Sequence, residues 1–291
     1  MNPRTTLLRS RRSLAATLLL APLALTACSP TTPPDSPTPA AAVSHVHGIS
    51  VDPVSTKILI ATHDGLYDAT KKKLEKVSDT IDLMGFTATG EPNVYYASGH
   101  PGPGSSLPNP VGLIRSRDAG KTWQQVSLGG QSDFHALTVS GGALVAFDGQ
   151  LRTSTDGTSW TNSAATFSPA ALAGSPTSTV VLATTQEGLQ RSTDHGKNWQ
   201  PVPGGPVVQF VAFATPASKA PTMAVGIAPD GSVYVSTDTG LTWAATGTIS
   251  GQVEAVTAVE GSTGKPWIWA ATTDGVQVST DGGATFRPAA S

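Results

Sequence analysis

The chain has 291 residues, of which 18 are basic and 20 acidic, so its formal net charge is −2. Charged residues make up only 13% of the chain, about half the usual globular share, which argues against a solvated helical bundle and a disordered polyelectrolyte. No cluster of basic residues is large enough to predict nucleic-acid binding. The apolar fraction of 38% can still form a substantial core over this length.

The first 27 residues have the features of a bacterial export signal in the required order. Four arginines lie within residues 1–12, and residues 14–25 form an apolar stretch that is too short for a stable membrane span. This stretch ends in Leu25-Thr26-Ala27-Cys28, which resembles the lipobox of bacterial lipoproteins, in which the cysteine is lipidated. We therefore expect residues 1–27 to be a lipoprotein signal peptide. Cys28 would anchor the exported protein to the outer face of the bacterial cell membrane. An ordinary signal peptide with an incidental cysteine is the alternative.

Residues 28–44 are predicted to be the lipidated cysteine followed by a Pro/Thr/Ser-rich linker. Five prolines and no apolar period occur in residues 29–44, a composition that favours an extended, solvated tether. Cys28 is the only cysteine, so no internal disulfide can form, and the folded part must be stabilised by packing.

A repeat of about 40 residues organises the sequence from residue 45 to residue 291. Its most visible part is a box such as STDTGLTW, and the spacings between successive boxes are 38, 38, 44 and 43 residues. The boxes begin at Ser116, Ser154, Ser192, Ser236 and Ser279. Strand-like runs open the units, and there are six of them: VHGISV, LMGFTA, FHALTV, AALAG, QFVAFA and VEAVTA. Short strands and turns at this period predict an all-β fold, a single β-propeller of six four-stranded blades.

The boxes resemble the Asp-box (BNR) motif of sialidases, sortilin-type receptors and photosystem II assembly propellers. We expect each box aspartate to accept backbone N–H bonds within a tight turn, and each box aromatic ring to be buried between neighbouring blades. These structural residues are Asp118, Asp156, Asp194, Asp238 and Asp281, with Trp123, Trp160, Trp199, Trp243 and Phe286. The copy that begins at Ser154 is one residue shorter, so its turn is expected to differ.

The segments HVHG, ATHDG, MGF, SGHPGPGSSLPNPVGLI and DFHAL resemble a group of actinobacterial propeller lipoproteins described as sialidase-like or glycosyl-hydrolase-like. In such propellers, the loops that enter the innermost strands share one face with the loops that join the second and third strands. The resemblance therefore implies that five of the six histidines lie on one face of blades 1–3. These are His45, His47, His63, His100 and His135.

One position of each inner strand is expected to line the central channel. The residues at this position are His47, Met84, His135, Ala170, Val211 and Glu254. Imidazole, thioether and carboxylate groups together form a plausible ligand set for copper or zinc. His45, His63 and His100 would be further ligands or would orient the ligands. The alternative is that these histidines only bind loop backbone groups and that Met84 fills the channel.

A glycosidase would need two carboxylates on either side of the scissile bond. Asp82 and Asp133 fit no turn position of the repeat, and Glu254 is the only carboxylate at the channel position, so these three are the candidates. The arginine triad and the Tyr–Glu pair of sialidases have no matching motif. We therefore expect a monomeric binding protein of the cell envelope rather than an enzyme, with an envelope protein or a glycan as a possible partner. The alternatives are a glycoside hydrolase at the same face and an assembly scaffold that docks through residues 100–110.

Overall fold

The computed structural model describes residues 44–216 and 219–290. In these ranges the regular secondary structure is entirely β-strand, and no helix is long and apolar enough to cross a membrane. The predicted signal peptide, the lipidated Cys28 and the linker up to residue 43 lie outside the described residues.

Four four-stranded antiparallel sheets follow one another along the chain, and each pairs its strands in chain order. The first contains β1 (Val46–Val51), β2 (Ile58–Thr62), β3 (Gly65–Asp68) and β4 (Glu75–Lys76). The second contains β5 (Ile81–Ala88), β6 (Tyr95–Pro101), β7 (Leu113–Ser116) and β8 (Gln124–Ser127). The third contains β9 (Ala136–Ser140), β10 (Ala143–Phe147), β11 (Leu151–Ser154) and β12 (Thr161–Asn162). The fourth contains β13 (Ala171–Ala173), β14 (Val181–Thr185), β15 (Gly188–Ser192) and β16 (Gln200–Pro201).

The remaining strands form one eight-stranded sheet made of two antiparallel meanders. One meander contains β17 (Phe210–Thr215), β18 (Ala224–Ile227), β19 (Ser232–Ser236) and β20 (Ala244–Thr248). The other contains β21 (Val253–Glu260), β22 (Pro266–Thr272), β23 (Gly275–Ser279) and β24 (Arg287–Pro288). A short parallel pairing of Ala214 with Ala258 and of Thr215 with Val259 joins the two meanders.

The first strands of successive meanders contact one another in order, and β1 contacts β21, so the inner strands form a closed ring. This is a β-propeller arrangement. The inner strands β1, β5, β9, β13, β17 and β21 coincide with the six strand-like runs of the sequence. The all-β propeller that the repeat predicts is therefore confirmed.

Burial follows the position of each strand within its meander. The second strands β2 and β14 are buried along their whole length because neighbouring meanders cover both of their faces. The outermost strands β4, β12, β16 and β24 are only two residues long and exposed. Such short edges limit pairing with other chains.

The hydrophobic core consists of clusters that lie between neighbouring meanders. The cluster that closes the ring combines Val46 and Ile49 of β1 with Ala255 of β21 and Trp269 of β22. The box aromatic rings are partly buried and pack against the other clusters, each between its own meander and the preceding one. These rings are Trp123, Trp160, Trp199, Trp243 and Phe286.

The box turns are held by a repeated set of hydrogen bonds. In the box at Ser236, the Ser236 hydroxyl donates to Oδ1 of Asp238 (2.8 Å), and the N–H of Gly240 donates to the Ser236 hydroxyl (2.9 Å). Thr242 donates its N–H to Oδ1 of Asp238 at 2.8 Å and its hydroxyl to Oδ2. In the shorter copy the glycine N–H that binds the serine lies three residues after it instead of four. The different turn that its length predicts is therefore present.

Candidate functional site

One end of the first three inner strands carries the histidines. His45 and His135 precede β1 and β9, and His63 follows β2. His100 lies near the end of β6, and Asp82 lies opposite it at the start of β5. The strand ends therefore bring residues from three consecutive meanders to one edge of the ring.

Three inner strands contain a β-bulge at the position that faces the channel. The pairing register skips His47 in β1, Met84 in β5 and Glu254 in β21, so each of these residues is the extra, unpaired one. A bulge turns the side chain of the extra residue away from the regular alternation of the strand. The bulges explain why side chains from these positions reach the channel.

His47, His63 and Asp82 form the first histidine cluster. Nε2 of His47 lies 3.2 Å from Nε2 of His63, and Nδ1 of His63 lies 2.9 Å from Oδ1 of Asp82. One ligand atom from each of the three residues lies within 4.8 Å of the others, and no other such group occurs among the described residues. The arrangement can hold a metal ion.

Burial controls the charge of His47, whose side chain is 11% exposed. Desolvation, with smaller contributions from the neighbouring His63 and His45, lowers the pKa of His47 to about 4. At neutral pH the imidazole is therefore uncharged, which is the form that binds metals.

His45 and Glu254 form a pair beside the first histidine cluster. Nδ1 of His45 lies 2.7 Å from Oε1 of Glu254, and the N–H of Val46 donates to Oε2 at 3.1 Å. The His45 ring centroid lies 4.9 Å from that of His47. The pair therefore places a third imidazole next to the first histidine cluster.

His100, Asp133 and His135 form the second histidine cluster. Nε2 of His100 and Nε2 of His135 lie 3.1 and 3.2 Å from the same Oδ2 of Asp133. Nδ1 of His100 donates to Oδ1 of Asn109 at 2.7 Å, which holds the loop of residues 101–109 beside the cluster. The hydrogen bond to Asn109, followed by the charge of Asp133, raises the pKa of His100. This cluster is thus a carboxylate between two imidazoles.

The close approach of two strands beside Asp82 requires a glycine. Gly99 has a φ of 143°, and a Cβ atom there would lie 1.9 Å from the carbonyl oxygen of Asp82. The absence of a side chain at residue 99 therefore lets β6 pair with β5 at the strand end where Asp82 contacts His63.

The channel residues are brought together only in part. His47, Met84, His135 and Glu254 all line one cavity of about 140 Å³, together with Ala170 and Val211. Among the described residues, however, His47, His135 and Glu254 do not form a group within ligand distance. Each of these side chains pairs instead with a neighbour outside the ring, and their use as one ligand set stays a prediction. His47 pairs with His63, His135 with Asp133, and Glu254 with His45.

Asp82 was predicted as a candidate catalytic carboxylate and not as a metal ligand. Its position in the repeat could have placed it near His63. Asp82 begins the inner strand of the second meander, and His63 follows the second strand of the first meander, so both lie at the same end of neighbouring meanders. Asp133, the other candidate, lies in the second histidine cluster, and Glu254 is bound to His45.

A larger cavity lies away from both clusters. Its volume is about 750 Å³, and it is lined by residues 164–170 together with parts of β14, β15 and β16, including Glu187 and Trp199. It contains none of the histidines.

Comparison with known proteins agrees with a β-propeller. Residues 109–224 match the family model described as the DUF6242 beta propeller domain. No curated protein gives a significant match.

Among solved structures, the chain is similar to a GH74 xyloglucanase from Xanthomonas campestris, with a TM-score of 0.55 and 14% identity over 85% of this chain and 38% of that one. It is also similar to an ancestral GH74 enzyme, with a TM-score of 0.51 and 15% identity over 82% of this chain and 36% of that one. The chain spans little more than a third of the length of these enzymes. Identities this low show a shared fold and nothing about activity.

Proposed function

We propose that this protein is a propeller of six Asp-box blades, anchored to the cell envelope, that binds a divalent transition metal through His47, His63 and Asp82. The two meanders of the eight-stranded sheet would be the fifth and sixth blades, since only a short parallel pairing links them. The main observation behind the metal site is that one ligand atom from each of the two imidazoles and the carboxylate lies within 4.8 Å of the others.

The distances within the first histidine cluster support the proposal. Two nitrogens bound to one ion at about 2.0 Å each lie about 3 Å apart, and Nε2 of His47 and Nδ1 of His63 are separated by 3.3 Å. Oδ1 of Asp82 lies 2.9 Å from Nδ1 of His63 and 3.9 Å from Nε2 of His47, so these three atoms are close enough together to bind one ion. Zinc and copper both suit imidazole ligands combined with a carboxylate.

The test is titration of the untagged full chain, freed of metal by a chelator, with zinc and copper, followed by calorimetry. We expect one ion to bind per chain, and His63→Ala and Asp82→Asn to weaken binding by about 10-fold or more. Asp64→Asn is the matched control, because Asp64 is an acid in the neighbouring turn whose side chain accepts a bond from Ser44. Absence of binding by the wild type, or equal weakening by Asp64→Asn and Asp82→Asn, would overturn the proposal.

The anchoring part of the proposal depends on Cys28. Cys28→Ser is expected to move the protein from the membrane fraction to the soluble fraction of a bacterial host. Retention of the variant in the membrane fraction would contradict lipid anchoring at this residue.

Hydrolysis of a carbohydrate at the same face would require two of the carboxylates to act as an acid–base or acid–nucleophile pair. Asp82 and Asp133 instead lie within hydrogen-bond distance of imidazoles in two separate clusters. Metal binding is therefore the function that the geometry supports best. Turnover of chromogenic glycosides by the wild type, lost in Asp133→Asn, would favour the hydrolase.

A further inference from the structure

We propose that the cavity of about 750 Å³ beside the fourth meander binds a small organic cation. The ligand would be a free amine whose apolar body packs against Phe167 and Trp199 and whose ammonium group pairs with the carboxylate of Glu187. None of the histidines lines this cavity, so the site is separate from the proposed metal site and does not depend on it.

The cavity lies where few side chains fill the space between the third and fourth meanders. The hydrophobic cluster at this place contains only three buried residues, Val145, Leu151 and Val181, whereas the other clusters contain six or more. The segment between β12 and β13 passes over this gap, and small alanine side chains stand at residues 164 and 165. The resulting volume lies within the range of about 300–1,000 Å³ that is usual for small-molecule sites.

Hydrogen bonds fix the walls of the cavity. Nε1 of Trp199 donates to the Ser163 hydroxyl at 3.0 Å and to the carbonyl of Gly196 at 2.8 Å. The Ser163 hydroxyl in turn donates to the carbonyl of Gly196 at 2.6 Å. The rings of Phe167 and Trp199 contact each other at right angles, with their centroids 5.4 Å apart. The aromatic wall is therefore formed in advance, so that binding requires little ordering of the protein.

Glu187 is the charged residue of this cavity. The polar side chains around it include the amides of Gln186 and Gln190, and no lysine or arginine among the described residues belongs to the lining. The N–H of Glu187 donates to the Thr185 hydroxyl at 3.2 Å, while its carboxylate has no hydrogen-bond or ion-pair partner within the described ranges. A single carboxylate is therefore free to bind a ligand.

The equivalent turns of the other meanders use their acids differently. The repeat places an aspartate before a glycine at four further turns between second and third strands. Three of these aspartates accept a hydrogen bond from a nearby serine: Asp64, Asp148 and Asp230. The fourth, Asp274, does not line the cavity. Glu187 thus differs from its equivalents in having a longer side chain that lies in the wall of a cavity.

The composition of the lining determines the charge of the ligand. The aromatic rings offer apolar area to the body of a ligand. The carboxylate of Glu187 forms its strongest hydrogen bond with a charged donor such as an ammonium group, and it repels an anion. A lysine side chain carries the same group, but the volume accommodates a whole small molecule. A free amine with an apolar body therefore fits best.

The test compares three probes that share a phenyl body and differ in charge. The probes are 2-phenylethylammonium, the neutral 2-phenylethanol and the anion phenylacetate, each titrated into the untagged full chain by calorimetry. We expect one ammonium ion to bind per chain, at least about 10-fold more tightly than the alcohol, and phenylacetate to bind most weakly. Added salt should weaken binding of the ammonium ion but not of the alcohol.

Two variants locate the site, and a third is the control. Glu187→Gln should lower the affinity for the ammonium ion to that for the alcohol and should fold normally, since the side chain is exposed. Phe167→Ala should weaken binding of both probes by about 5-fold or more. Asp274→Asn is the matched control and should change neither affinity. Asp274 occupies the equivalent turn, and its N–H donates to the Thr272 hydroxyl at the same 3.2 Å.

Several outcomes would overturn the inference. They are equal affinity for the three probes, absence of binding by the wild type, and equal weakening by Glu187→Gln and Asp274→Asn. Tighter binding of N-acetyl-lysine methylamide than of 2-phenylethylammonium would overturn the free amine in favour of a lysine side chain. His63→Ala should bind the ammonium ion as the wild type does, so failure of the metal site leaves this result intact. Loss of ammonium binding in His63→Ala would instead contradict the cavity as the site.

Discussion

Nδ1 of His45 lies 2.7 Å from Oε1 of Glu254, although 209 residues separate the two along the chain. The contact joins the start of β1 to the bulge of β21, directly beside the hydrophobic cluster that closes the ring. The contact therefore joins the first and last meanders at the face of the ring that carries the histidines.

Removing the Glu254 side chain should weaken ring closure. Glu254→Ala leaves the N–H of the buried Val46 and Nδ1 of His45 without their acceptor, so we expect the free energy of unfolding to fall by about 2 kcal/mol. Urea denaturation measures the change. Glu260→Ala on the same strand is the control, because Glu260 makes only a surface ion pair with Lys219 and should cost less than about 0.5 kcal/mol. Equal costs for the two variants would contradict a role of Glu254 in ring closure.

The glycine beside Asp82 should be irreplaceable for steric reasons. Gly99→Ala would place a Cβ atom 1.9 Å from the carbonyl oxygen of Asp82, so we expect β5 and β6 to separate and stability to fall by more than about 3 kcal/mol. Gly188→Ala is a matched control. Gly188 also has a positive φ (118°), but a Cβ atom there meets nothing within 4 Å. Thermal unfolding of the two variants compares the costs, and a similar loss in both would mean that φ alone explains the glycine.

Two box tryptophans should respond differently to the same substitution. Nε1 of Trp199 donates to the Ser163 hydroxyl at 3.0 Å and to the carbonyl of Gly196 at 2.8 Å. Nε1 of Trp123 is buried and has no acceptor among the described residues. Trp199→Phe should therefore destabilise the protein by about 1 kcal/mol more than Trp123→Phe, since only the first loses hydrogen bonds. Chemical denaturation of both variants measures the difference, and a larger loss for Trp123→Phe would contradict it.

The box aspartates should make the protein less stable in acid. Hydrogen bonds, first from the threonine hydroxyls, lower the pKa of Asp118, Asp238 and Asp281 to about 2, from an ordinary value of 3.8. A group whose pKa is lower in the folded state stabilises the protein above the unfolded value. That contribution is lost as the pH falls from about 4 through about 2.

Each box should contribute less than about 1 kcal/mol, because the carboxylates are exposed and solvent screens them. Asp238→Asn removes the titrating group, so its cost should be larger at pH 5 than at pH 2. Urea denaturation at both values measures it. The same cost at both pH values would show that the aspartate acts by shape and not by charge.

Much of the fold could be predicted because its signals are local. The serine, aspartate and glycine of each box bind one another within four residues, so the repeat is readable in the sequence, and the inner strands coincide with the predicted runs. The candidate site was predicted as a group of histidines at one face, with Met84 and Glu254 at the channel and Asp82 and Asp133 as separate candidate carboxylates. Their partners were not predicted: His63 lies against Asp82, and His135 lies against Asp133.

The sequence alone therefore determined the repeat, the turns and the strand order, and its resemblance to known propellers placed the histidines at one end of the strands. These features depend on residues a few positions apart. The tertiary structure alone decided that Glu254 pairs with His45, that Asp82 joins His47 and His63, and that His100 and His135 share another carboxylate. The physical reason is that such pairs depend on ring closure and on single-residue bulges. One extra residue in a strand changes the direction in which a side chain points, and the position of such a bulge cannot be read from the repeat pattern.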